Sequence, residues 1–79
     1  MSEQFLERVR SVVASVFNIP RSQVTEQSGP DTLDAWDSMG HLTLVLALEQ
    51  EFGITISPEQ VEAMKDVAAT ASVIRSILG

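Results

Sequence analysis

Ser38, with Asp37 directly before it and His41 three residues after, is where a hydroxyl, a carboxylate and the only imidazole of the chain come together. A serine hydrolase would use those three groups. Its triad, however, needs a base oriented by a third residue and an oxyanion hole facing a substrate pocket. Residues 37, 38 and 41 span one helical turn and do not converge in that way. His41 therefore reads as a packed or solvent-facing side chain, and catalysis by this trio is rejected. No metal site is expected either. One histidine and scattered carboxylates lack the ligand spacing of a zinc site, and no calcium-loop pattern is present. Taken alone, Ser38 reads as a capping or first-turn serine. The other reading is a hydroxyl that a second protein modifies, and its surroundings have to decide.

Those surroundings are a long polar segment followed by a helix. Phe5, Leu6, Val9, Val12, Val13, Val16 and Phe17 recur at helical spacing and predict a first helix from about Ser2, its N-cap, to Phe17, stopped by Asn18 and Pro20. Residues 18–37, with two prolines and a glycine, predict a loop. A loop of that length in so small a chain is usually functional or disordered. Ile19, Val24, Leu33 and Trp36 are positioned to pin it to a core, which favours order. Asp37 can cap a second helix from Asp37 or Ser38 to Phe52, with Gly53 as its stop. Ser57-Pro58-Glu59 starts a short third helix over 58–65. Asp66 or Thr70 opens a fourth, ending at Leu78 and Gly79. The expected architecture is an all-α, small four-helix bundle, with three longer helices, one short third helix and a long first loop. Residues 1–79 are expected to form a single domain.

The second helix has two apolar sides. At about 100° per residue, Leu44, Val45, Leu48 and Phe52 cluster as a core face. Met39, Leu42 and Leu46 fall opposite, with Glu49 and Glu51 on the flanks. A bundle of this size cannot easily bury both faces. An exposed apolar strip edged by carboxylates suits docking to a partner with apolar and basic residues. The plainer alternative is that Met39, Leu42 and Leu46 pack on the third helix or the long loop.

Composition narrows the partners. The chain has 79 residues, no cysteine, 44% apolar residues and a net charge of −6. A domain this small buries only roughly 60% of its unfolded surface. Without disulfides or a thiolate metal site, aliphatic packing has to stabilise it. An acidic surface repels nucleic acid and anionic lipid and favours basic protein partners. No apolar run reaches the roughly 18 residues of a membrane span, so no membrane insertion is expected. No secretory signal is apparent in MSEQFLERVR. A monomer in the cytoplasm is expected.

Residues 33–54, LDAWDSMGHLTLVLALEQEFGI, resemble the central segment of the acyl carrier protein family. Asp37-Ser38-Met39 is similar to the Asp-Ser-Leu or Asp-Ser-Met opening of that family's second helix. Leu42 to Leu48 is similar to its aliphatic run, and Glu49-Gln50-Glu51-Phe52-Gly53 to its acidic close. The resemblance extends over nearly the whole chain. It implies a free-standing, non-catalytic carrier. A phosphopantetheinyl transferase would move 4'-phosphopantetheine from coenzyme A onto Ser38. Acyl groups would ride as thioesters on the arm's thiol, which a cysteine-free chain cannot otherwise supply. It further implies acyl-loading and acyl-transferring enzymes of fatty acid, polyketide or related biosynthesis as partners. Asp37, Met39, Leu42, Leu46 and Glu49 are the candidate partner-binding residues.

Three positions depart from the family pattern. Thr43 stands where fatty-acid members commonly carry an acid. Trp36 precedes the Asp-Ser pair where small residues are common, which gives WDSMGHL the look of a discrete carrier from a specialised pathway. Gly40 weakens the first helical turn by about 1 kcal/mol relative to Ala. An aminoacyl or peptidyl carrier, including the D-alanyl type, would share the fold and the modification. Its usual Gly-Gly-His-Ser or Gly-Gly-Asp-Ser sequence is absent, although D-alanyl carriers also resemble the DSMG portion. An unmodified interaction bundle is the alternative from another class.

Overall fold

The computed structural model describes residues 2–79. Four α-helices follow one another: α1 (Glu3–Phe17), α2 (Ser38–Phe52), α3 (Pro58–Ala63) and α4 (Val67–Leu78). A single 3₁₀ turn at Arg21–Gln23 interrupts the first loop. No strand forms among the described residues. The fold is the expected all-α bundle.

Each helix begins where a short polar side chain can take an otherwise unpaired backbone N–H. Ser2 Oγ accepts from Phe5 N–H at 3.2 Å. Ser57 and Gln60 form a reciprocal capping box ahead of Pro58. Asp66 accepts from Ala69 N–H at 2.7 Å, so α4 starts there and not at Thr70. Thr70 lies buried one turn inside α4 and donates its hydroxyl back to the Asp66 carbonyl at 2.7 Å. Asn18 and Gly53 adopt left-handed backbone at the ends of α1 and α2, which relieves the terminal carbonyls. Helix α3 ends at Ala63, two residues before the sequence suggested. Met64 leaves helical geometry there, and its side chain is almost fully buried in the core.

Val9, Val13 and Phe17 of α1 meet Leu44 and Leu48 of α2 and Val67, Ala71 and Ile74 of α4. Ile56 and Met64, flanking α3, complete this core. Phe52 is half-buried at its edge. Its ring lies 5.6 Å from that of Phe5 and under the Arg8 guanidinium at 4.4 Å. Arg8 also reaches Glu51 at 3.1 Å, tying α1 to α2 on the outside.

The long loop is ordered because it contributes to that core. Val24 and Trp36 are buried, while Ile19 and Leu33 are half-buried against them. Arg10, on the polar side of α1, reaches across and donates to the Val24 carbonyl at 2.8 Å. It pairs with Glu7, which also pairs with Arg21. Further on, the Ser28 and Glu26 carbonyls accept from Val67 N–H and Ala68 N–H at 2.8 and 2.9 Å. The loop thereby satisfies unpaired donors in the first turn of α4. This close approach leaves no room for a side chain at Gly29, whose Cβ would come 2.8 Å from the Lys65 carbonyl oxygen.

Candidate functional site

Asp37 is extended backbone at the end of the loop, and its carboxylate accepts from Gly40 N–H at 2.8 Å. Asp37 therefore performs the capping that Ser38 could otherwise have been assigned. Ser38, the first residue of α2, is exposed. Its hydroxyl is left at one end of the bundle, where another protein can reach it.

Gly40 shows why this junction is tight. A Cβ there would fall on the Ala35 carbonyl oxygen, far inside the 3.0 Å that Cβ atoms keep from a neighbour. It would also come 3.0 Å from Phe17 Cε1. The helix-weakening glycine is what allows the loop to cross α2 immediately before the Asp37-Ser38 pair.

His41 is a packed residue, not a base for Ser38. Trp36 Nε1–H donates to His41 Nδ1 at 2.8 Å, and the two rings lie side by side, 20° from parallel, with centroids 6.1 Å apart. The other ring nitrogen, Nε2, lies 2.8 Å from the Val61 carbonyl oxygen. Since a tryptophan N–H can only donate and a carbonyl can only accept, the ring is the neutral Nε2–H tautomer. The relay joins the loop, α2 and the last turn of α3.

Between these elements lies an open groove of about 820 Å³. Ser38 and Asp37 stand at its edge, with Leu42 and His41 of α2, and Val61, Glu62, Met64 and Lys65 facing them. The sequence did not single out Val61 or Met64 as neighbours of Ser38, because they arrive from more than twenty residues away. Trp36 was expected to pin the loop to the core, as it does, but its bond to His41 was not foreseen.

The two sides of α2 separate as expected. Leu44 and Leu48 are fully buried and Val45 is nearly so, whereas Met39, Leu42 and Leu46 are 75%, 57% and 61% exposed. Leu42 also borders the groove, so it belongs both to the strip and to the surroundings of Ser38. Glu49 has a role the sequence did not suggest. It is half-buried, and its carboxylate accepts from Ile56 N–H at 2.8 Å. Thr43 is exposed and donates its hydroxyl to the Met39 carbonyl at 3.1 Å.

A capped helix that leaves its first serine exposed beside an open groove offers a hydroxyl to which another protein can attach a group. The phosphopantetheine attachment site family model matches residues 7–74. The acyl carrier protein of Thermosynechococcus vestitus is 38% identical over 65 residues, covering 81% of this chain and 79% of that one. That of Lactobacillus acidophilus is 31% identical over 78 residues, covering 98% and 96%. Among solved structures, the acyl carrier protein from Enterococcus faecalis superposes with a TM-score of 0.73 at 38% identity, over 95% of each chain. The chain belongs to the acyl carrier protein family.

Membership makes it a non-catalytic carrier, a substrate of phosphopantetheinyl transferase, whose cofactor is covalently attached 4'-phosphopantetheine. The residues fit that group. A primary hydroxyl is exposed at a helix start, a groove with polar and apolar walls adjoins it, and the chain has no thiol of its own. Partners of such a carrier are biosynthetic enzymes. No helix among the described residues is long and apolar enough to cross a membrane.

Proposed function

We propose that Ser38 carries the arm, and that residues 1–79 act as a single, monomeric carrier domain in the cytoplasm. The observation behind this reading is the exposed Ser38 hydroxyl at the start of α2, freed from capping by Asp37. The attached arm supplies the thiol on which acyl groups ride as thioesters. The chain's own residues present that arm and meet the enzymes that load and unload it. Met39, Leu42 and Leu46 form the apolar part of that meeting surface, and Asp37 and Glu49 contribute negative charge beside it. The net charge of −6 supports basic partner surfaces, since complementary charge speeds encounter. Delivery is to enzymes of fatty acid, polyketide or related biosynthesis.

The test is intact mass after incubation with coenzyme A and a broad-specificity phosphopantetheinyl transferase. Wild type should gain one arm and Ser38→Ala none. An unchanged wild-type mass, with the transferase shown active on another carrier, would refute the attachment. Label on a different serine would move the site. An aminoacyl or peptidyl carrier would take the same arm, and the DSMG portion keeps that reading as the alternative. Loading the modified protein with acyl and with aminoacyl donors separates the two.

A further inference from the structure

We propose that His41 is a positioning residue whose neutral form latches α3 to the loop before Ser38, and whose protonation breaks the loop side of that latch, at Trp36. This goes beyond the carrier assignment and rests on it only in giving the groove a use. The short helix α3 is held to α2 by two side chains of α2. At its approach, the Glu49 carboxylate accepts from Ile56 N–H. At its far end, His41 donates from Nε2 to the Val61 carbonyl. That carbonyl belongs to the last turn of α3, where helical acceptors lack partners within the helix. It otherwise receives only the long Met64 N–H bond at 3.3 Å.

The second half of the latch is Trp36. Its indole is 99% buried and its ring also lies 5.5 Å from that of Phe17. The indole N–H has His41 Nδ1 as its acceptor. A proton on Nδ1 removes this acceptor and sets two N–H donors face to face, leaving a buried donor unpaired. Protonation of the imidazole therefore acts directly on this contact. Charged groups lining the groove with His41 are Asp31 from the loop, Asp37 from the cap of α2, Glu62 from α3 and Lys65 beyond it, while α1 packs the uncharged Phe17 on Trp36. Among the described residues, none of these charged side chains bonds to the ring, so none replaces the contact that Trp36 loses.

The chain has one tryptophan and one histidine, so each gives a single, unambiguous ring signal. The test is heteronuclear NMR of the nitrogen-labelled full chain before any arm is attached, over a pH titration. At the high end of the titration, His41 should be the Nε2–H tautomer and the Trp36 indole N–H should be protected from exchange. On acidification, the indole signal and the amides of Val61 to Lys65 should shift with the midpoint of His41. Those of Val9 to Ala14 should stay. His41→Gln, whose amide offers one acceptor and one donor and does not titrate, should keep the neutral-form positions at every pH. His41→Leu should lose the indole protection at every pH. An Nδ1–H tautomer at high pH, or an indole signal that ignores the imidazole titration, overturns the proposal. Because the unmodified chain is used, the outcome is independent of whether Ser38 accepts the arm.

Discussion

Replacing Gly40 by Ala sets two effects of known sign against each other. In an open helix the change is favourable, by about 1 kcal/mol. Here the added Cβ meets the Ala35 carbonyl oxygen inside the 3.0 Å floor, and Phe17 Cε1 at that distance. Ala35 is exposed and could swing outward, but Trp36 next to it cannot follow. Its indole is buried, hydrogen-bonded to His41 and packed on Phe17. Overpacking costs about 1–3 kcal/mol, and a backbone oxygen held by a buried neighbour belongs at the upper end. Subtracting the propensity gain leaves a net loss of about 2 kcal/mol. A chain of this length holds roughly 4–12 kcal/mol in all, at roughly 0.05–0.15 per residue. At about 4–8 °C per kcal/mol for a domain of this size, Gly40→Ala should lower Tm by about 8–16 °C. Thermal unfolding followed by far-UV circular dichroism measures this. Trp36 emission in the folded state should change as well, because the loop has to move. A variant as stable as wild type, or more so, would mean that helix propensity wins and that the loop does not cross α2 as described.

Leu48→Ala, which opens a hole in the core, should cost about 2–5 kcal/mol, while exposed Leu46→Ala should stay within about 0.5 kcal/mol yet slow cargo transfer to a partner enzyme; equal, large losses in the melting curves would mean that Leu46 is not a docking residue. Asp37→Ala should lose the cap, about 1 kcal/mol, whereas Asp37→Asn should keep the cap and slow modification by the transferase; an unchanged rate for Asn would reduce Asp37 to a cap. Glu49→Lys should reduce both stability and partner encounter, because the carboxylate proposed to meet partners also holds Ile56 N–H. Glu49→Gln retains an acceptor for that N–H, so it should melt near wild type and still associate more slowly, with the deficit shrinking as salt screens the contact; a salt-independent deficit would argue against an electrostatic role.

Much of the fold is written in short-range chemistry. The side chains of Ser2, Asp37, Ser57 and Asp66 each accept from the backbone N–H three positions ahead, so a helix start is legible wherever such a side chain precedes an apolar repeat. The two sides of α2 follow from helical periodicity on a bundle too small to cover both. The serine proposed to carry the arm, Ser38, is singled out by the Asp37-Ser38-Met39 opening and the run behind it. What the sequence alone could not determine is which residues meet across long separations. Gly40 looked like a weakness because propensity is a property of the isolated helix, and the obstacle is a carbonyl brought over by the loop. Glu49 looked like a free surface acid because Ile56 reaches it only after the chain turns back. His41 offered two nitrogens to any partner, and packing supplied Trp36 from the loop and Val61 from α3. Met64 ends α3 early, leaving helical geometry with its side chain buried in a core assembled from distant residues. Local hydrogen bonds and periodicity depend on spacing along the chain, whereas these contacts depend on distances that exist only once the helices have packed.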